Sequence, residues 1–255
     1  MIKFFRKIRQ KLLSENKFSK YLIYAVGEII LVVIGILIAL QINNWNEQKK
    51  ERQKETKLLN QLVLDLKYNL NEISDMYGDV LIRSVAKDSI LNHLENVERH
   101  SEELKMYLHQ IQLPGIFNLA NTTYKSIESG GIDALSNDTL RAKITDMYEF
   151  DFRNVEERRK LEYDMITYRL KPITLAHLIP TDVSKIQGDR SILEDVAIMN
   201  FPRNPKALAK NGEFVNVLSE LQAMTTARKY FQEKTLIKLE ELIAEVEEEI
   251  IRLKN

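Results

Sequence analysis

Between Tyr21 and Ile42 the chain reads YLIYAVGEIILVVIGILIALQI, with Glu28 as its one charged residue. About 20 residues rising 1.5 Å each cross a hydrocarbon core of roughly 30 Å. The run therefore predicts a transmembrane helix over residues 21–42. Tyr21 and Tyr24 at one end and Trp45 at the other stand where interfacial aromatics belong. A cleaved signal peptide fits poorly. The apolar run exceeds the usual core of about 7–15 residues, and no A-x-A-like site follows in QINNWNEQ.

The flanks set an orientation. Lys3, Arg6, Lys7, Arg9, Lys11, Lys17 and Lys20 precede the run against a single acid, Glu15. After it, Lys49, Lys50, Arg52, Lys54 and Lys57 alternate with Glu47, Glu51 and Glu55. The bias predicts a cytoplasmic basic tail, residues 1–20, with everything after the span exported and, in a double-membrane bacterium, periplasmic. Residues 3–13, KFFRKIRQKLL, also alternate so as to lie on an anionic leaflet; an ordinary positive-inside flank explains them equally well. The formal net charge of zero gives no reason to expect nucleic acid as a partner. Without cysteine there are no disulfides, thiolate nucleophiles or Cys-ligated zinc.

An ionised carboxylate at Glu28 costs a few kcal/mol in lipid, on the order of 3 by lenient scales. Tyr24 lies four residues earlier on the same face and is within reach of it. The face continues as Ala25, Glu28, Val32, Gly35, Ala39, spaced 3, 4, 3, 4. Gly35-x-x-x-Ala39 is a small-xxx-small pair, so the face reads as a helix-packing seam. Two uses compete. In one, a neutral Glu28 hydrogen-bonds across a helix pair; in the other, it titrates in a proton path, which requires a multi-span partner. The structural use is favoured.

Residues 43–57 are strongly polar and free of Gly and Pro, which predicts a helical stalk. From residue 58 onward an exported bundle is expected. Leu59, Val63, Leu66, Leu70, Ile73, Tyr77 and Val80 keep 4, 3 spacing over three heptads, too short for a free-standing coiled coil. A helix continues over 81–97, and Ser101 opens another through Gln112. Thr122 or Thr123 caps a short helix ending at Gly130-Gly131. Ser136 or Asn137 caps the next, over 139–170, which should bury Leu140, Ile144, Met147, Tyr148, Phe152, Val155, Leu161, Met165 and Tyr168. Pro172 and Pro180 are expected to bend and stop it. Ser191-Ile-Leu-Glu194 matches a capping box, with a helix to Met199. A last helix over 213–253 carries the stripe Phe214, Val217, Leu218, Leu221, Phe231, Leu239, Leu242, Val246, Ile250, Leu253. The fold class expected is all-α: one transmembrane helix continuing into a stalk and an antiparallel bundle.

The segment GEIILVVIGILIALQINNWNEQKKERQKE, residues 27–55, resembles the opening of an uncharacterised family of bacterial single-pass inner-membrane proteins, known only as a domain of unknown function. The stretch YKSIESGGIDALSNDTLR, Tyr124 to Arg141, is similar to that family's internal helix–turn–helix. The resemblance implies a Gram-negative inner-membrane setting. It carries over no activity, ligand or catalytic residue.

Chemistry is scarce. His93, His100, His109 and His177 have no partner at i+4 and no H-E-x-x-H occurs, so no metal ligand is assigned. Gly130-Gly131 lacks the preceding strand that a phosphate loop needs. Ser126, Ser129, Ser136, Asn137 and Asp138 around it either line a small polar recess or simply cap two helix ends. No catalytic residue and no cofactor is expected, and the chain is read as a non-enzyme. The leading expectation is a membrane-anchored helical interaction or scaffold protein, whose partners are the bilayer and either a second copy or another membrane protein met through the span. A periplasmic sensor working through a separate transducer is the alternative, since the twenty residues ahead of the span hold no output domain. A subunit of a proton-coupled complex using Glu28 is the third.

Overall fold

The computed structural model describes residues 18–96, 101–113, 115–131, 135–180 and 199–254. Among the described residues the fold is all-α apart from one two-stranded ribbon. Helix α1, Phe18–Ser84, runs unbroken for 67 residues. It contains no proline, and its glycines at 27, 35 and 78, each about 1 kcal/mol less favourable than alanine, do not interrupt it. After a turn at Val85 follow α2 (Ala86–Asn96), α3 (Glu102–Gln110) and α4 (Thr122–Gly130). Helices α5 (Asp138–Asp146), α6 (Arg153–Met165) and α7 (Lys171–His177) succeed one another through two wide, π-type turns, Met147–Phe152 and Ile166–Leu170. Strand β1 (Leu178–Pro180) pairs antiparallel with β2 (Met199–Pro202). A short α8 (Pro205–Ala209) leads into α9, Gly212–Lys254.

Two compact units divide the chain, residues 1–55 and 56–255. In the first, the large apolar side chains from Leu22 to Ile42 are 47–75% exposed. This is the one helix among the described residues long and apolar enough to cross a membrane. From Asn43 to Lys54 every side chain is exposed.

The second unit has two hydrophobic cores in succession. One joins Leu59, Leu62, Leu66 and Ile73 of α1 to α4, α5, Tyr148, Phe152 and the Leu239–Ile250 half of α9. The other joins α2, α3, Ile166, Leu170 and Ile173 to the Phe214–Leu221 half of α9. Cross-helix pairs fix the packing as antiparallel. Lys143 meets Glu245, Asp151 meets Lys238 and Glu162 meets Arg228, so the partner number falls as the first rises. Lys67 pairs with Glu247 and Gln222 Nε2 donates to Ser84 O, which gives α1 and α9 the same opposed sense.

Several local expectations hold: Ser101 caps α3 through Leu104, and Asn137 caps α5 through Leu140. Others are corrected. The helix expected over 81–97 breaks at Val85. Neither Thr122 nor Thr123 caps α4. Asn121 holds the cap position without a side-chain bond, and Asp65 of α1 accepts from Thr123 N at 3.1 Å instead. Pro172 does not stop its helix, which runs on to His177. The π-type turn before it has already shifted the hydrogen-bond ladder, with Lys171 N donating to Ile166 O, so the missing N–H falls where the α pattern is interrupted anyway.

Leu161 and Tyr168, expected inside, are 55% and 70% exposed. The first wide turn, Met147–Phe152, adds a residue ahead of this stretch. Val155 is buried as expected, but beyond it the buried positions run Glu162, Ile166 and Leu170 in place of Leu161, Met165 and Tyr168. The capping box at Ser191–Glu194 lies outside the described residues, and Met199 begins a strand.

Candidate functional site

Between its two apolar halves, α9 carries buried polar residues where its period calls for apolar ones. Thr225, Arg228, Gln232 and Thr235, spaced 3, 4, 3, are all 3% exposed or less. At 1.5 Å per residue this polar face extends about 15 Å along the helix. Arg83 of α1 and Glu162 of α6, equally buried, complete a charged layer with Arg228.

One carboxylate oxygen organises it. Glu162 Oε2 accepts from Arg83 Nη1 at 2.8 Å and from Arg228 Nη1 at 2.7 Å. Arg83 spends its other donors on the chain leaving α3: Nε on Gln110 O at 3.0 Å, and Nη2 on Leu113 O. Arg228 Nη2 reaches Met76 Sδ at 3.5 Å. Burial lowers the pKa of the Arg83 guanidinium; Glu162 opposes the shift, Arg228 adds to it and Asp79 opposes it. Arg158, one turn before Glu162, lays its guanidinium 3.6 Å from the Phe231 ring centroid.

Further buried polar atoms cluster here. Among the described residues, Glu162 Oε1, Gln110 Oε1, Thr225 Oγ1, Arg158 Nε and both amide atoms of Gln232 make no hydrogen bond. Buried polar atoms of this kind call for an explanation, because each costs roughly 1–3 kcal/mol if left without one.

A strap from Gly115 to Asn121 belongs to no helix or strand and is held by side chains. Asn69 Nδ2 donates to Ala120 O at 2.9 Å and Asn69 Oδ1 accepts from Ala120 N at 2.8 Å. Tyr148 OH donates to Ala120 O at 3.2 Å, and Arg159 Nη1 to Gly115 O at 3.2 Å. Gly115 has φ +72°, and a Cβ there would stand 3.8 Å from Arg228 Nη2. The strap thus lies against the charged layer.

The residues singled out from the sequence lie elsewhere. Ala25, Glu28, Val32, Gly35 and Ala39 share one face of α1, with Ala25 and Glu28 half-exposed and Val32, Gly35 and Ala39 exposed. A Cβ at Gly35 would meet nothing within 4 Å. The side chains of Tyr21 and Tyr24 lie outside the described residues. Trp45 is exposed, with Lys49 Nζ 5.7 Å from its ring centroid.

The serines around Gly130-Gly131 bond to their own helix, Ser126 to Thr122 O and Ser129 to Ser126 O. His93 Nδ1 donates to Ser89 O at 2.7 Å, and its Nε2 faces Glu103 at 3.3 Å. A shallow cleft of about 200 Å³ beside Met147 and Leu242 is walled by the pairs Lys143–Glu245 and Lys238–Asp151 together with Asp146 and Glu241.

A family described as of unknown function, DUF6090, matches residues 28–165, more than half of the chain. The chain belongs to the DUF6090 family. The DUF6090 match begins at Glu28 and ends at Met165, so it takes in Arg83 and Glu162 of the charged layer and leaves Arg228 outside. No curated protein and no solved structure matches.

Sequence reasoning missed the layer although a signal for it existed. The buried face of α1 steps 62, 66, 69, 73, 76, 80, 83, and continuing it past Val80 lands on Arg83. On α9 the apolar stripe lapses between Leu221 and Leu239, where only Phe231, in fact half-buried, had been assigned.

Proposed function

We propose that this chain is a membrane-anchored helical interaction protein: residues 21–42 cross the bacterial inner membrane, the basic tail stays cytoplasmic, and residues 56–255 act in the periplasm as a binding or scaffold module. The observation that carries the reading is the run of large apolar side chains from Leu22 to Ile42, about half exposed or more among the described residues. Leaving that surface in water costs roughly 25 cal/mol per Å², and lipid removes the cost. The seam through Glu28, Gly35 and Ala39 is then the natural contact with a second copy or another membrane helix, as nothing in the chain itself requires Gly35 to be small.

Fractionation tests the anchor: the full chain should stay with membranes after salt and alkaline washes and leave only in detergent. Crosslinking in intact membranes tests the interaction, and a chain captured only as monomer, with no neighbour, removes its support. A reporter fused after Asn255 should be active only in the periplasm.

A sensor is the second reading, and the charged layer is what favours it. Buried polar side chains inside a helical unit are expensive, and a ligand or solvent that satisfies them is one reason for a fold to keep them.

A further inference from the structure

Both cores of the second unit run out at the same level. The first core leaves α1 at Met76 and the second begins at Ala86 of α2, with only Val80 and Arg83 buried between them. Along α6 the first core ends at Val155 and the second takes over at Ile166, with Glu162 between. On α9 every buried residue between Leu221 and Leu239 is polar: Thr225, Arg228, Gln232 and Thr235.

A boundary of this kind is a plane of weakness. Parting two apolar faces costs roughly 25 cal/mol per Å², whereas wetting an unpartnered polar atom restores solvation that the folded state withholds. The Thr225 hydroxyl, both amide atoms of Gln232, Glu162 Oε1 and Gln110 Oε1 are such atoms among the described residues. The backbone is weakest at the same level. Helix α1 breaks at Val85, and α6 passes into α7 through the wide turn Ile166–Leu170. Of the three, only α9 crosses as regular helix. There Thr226 and Thr235 bond back to the carbonyls of Gln222 and Phe231, four residues earlier, a contact that loosens a helix.

The two sides are unequal. The first core is joined across helices by Lys67–Glu247, Lys143–Glu245 and Asp151–Lys238, and by the stack of Tyr124 on Tyr148. The second is assembled from short pieces, α2, α3, α7 and α8, the longest of 11 residues, and helices so short do not persist undocked.

We propose that the second unit consists of two cooperative lobes, and that the one formed by α2, α3, α7, α8 and the Gly212–Leu221 end of α9 opens along the polar layer while the other stays folded. The open form is a minor population of the native protein. Arg83, Glu162 and Arg228 remain as the end of the closed lobe, and the bonds of Arg83 to Gln110 O and Leu113 O are the ones that part. The device supplies the two-state element that a sensor needs, and it is independent of the anchoring reading.

Native-state hydrogen exchange on the full chain in detergent, at low urea, is the test. Leu94 and Leu108 report on the opening lobe, Leu66 and Leu242 on the other. The first pair should share the larger opening constant. Ile144→Val weakens only the lobe that stays folded, so it should speed Leu66 and Leu242 by roughly 2- to 10-fold and leave Leu94 and Leu108 unchanged. Ile90→Val weakens the lobe that is open in both processes and should speed all four by one common factor. Gln232→Leu removes an unpartnered amide from the plane and should slow Leu94 and Leu108 by about fivefold or more.

If both isoleucine variants speed all four amides alike, the unit opens as one body and the proposal is overturned. It is overturned too if Ile90→Val leaves Leu66 and Leu242 unchanged, because the other lobe then opens first. A Gln232→Leu variant with unchanged exchange at Leu94 and Leu108 also overturns it, since the lobes then part elsewhere. Membrane fractionation is unaffected by any of these results, so failure here and failure of the anchor are told apart.

Discussion

Arg83 and Arg228, from helices at opposite ends of the sequence, donate to the same atom, Oε2 of Glu162, at 2.8 and 2.7 Å. Removing the shared acceptor leaves two guanidiniums buried against each other. Glu162→Ala should therefore cost about 3–5 kcal/mol, the range for an orphaned buried charge. Replacing all three at once is different: R83M/E162L/R228M should be neutral or up to about 4 kcal/mol more stable, because no desolvated charge remains. Urea melts of the parent, single and triple variants make the comparison. A triple variant as unstable as the single one contradicts it.

Asn69 acts as a substitute strand for the strap, pairing with both the N–H and the C=O of Ala120. Asn69→Ala should cost about 1–3 kcal/mol, since the Ala120 N–H loses its acceptor inside the protein. Hydrogen exchange at Ala120 should accelerate more than at neighbouring helical amides. Equal protection in both proteins argues that the strap is held by its apolar contacts alone.

Gly115 and Gly78 should respond in opposite directions to alanine. At Gly115 the added Cβ finds an ordinary 3.8 Å contact, so the cost comes from φ +72° and should be about 1–2 kcal/mol. Gly78 sits inside α1 where a Cβ meets nothing, and Gly78→Ala should stabilise by about 0.5–1 kcal/mol. Paired melting curves settle the sign of each.

Tyr124 stacks on Tyr148 with ring centroids 4.4 Å apart, and its hydroxyl donates to Glu149 at 3.0 Å. Burial first, then the bond to the Glu149 carboxylate, pushes its phenol up to about 12; burial also raises that of Tyr148. A raised pKa means that the folded state favours the neutral phenol. Its contribution is thus complete below the ordinary value of 10 and lost as the pH climbs toward 12. Ultraviolet titration should show Tyr124 and Tyr148 ionising late, and Tyr124→Phe should lower the late amplitude by one tyrosine. Two late tyrosines persisting in that variant would sink the assignment.

What the residues announced in advance was governed by period. The 4, 3 run from Leu59 to Val80 and the stripes at both ends of α9 are repeated apolar choices, and repetition survives local error. Single side chains acting at a distance were not legible. Asp65 closes the start of α4 from 58 residues away, and no local pattern around Thr122 reveals that. Leu161 and Tyr168 were misplaced because their apolar character and spacing fit an ideal α-helix, whereas the real chain takes a wide turn first. Arg83, Glu162 and Arg228 read one by one as ordinary surface charges; only their coincidence with the buried faces of three helices marks them. That Glu28 and Gly35 share one face is visible in sequence because it needs nothing except position along one helix.

The two wide turns have a bearing on how this chain tolerates change. A π-type turn is an α-helix that has absorbed one surplus residue, so the helical stretch from Arg153 to Met165 is held in phase by an insertion on either side of it. Deleting one residue from Met147–Phe152 would tighten that turn and swing everything after it by about 100°, a single helical step. Glu162 would then leave both arginines, and the exposed Tyr163 would be driven toward them. A shortened chain could keep every helix and still lose the one acidic group on which its centre closes.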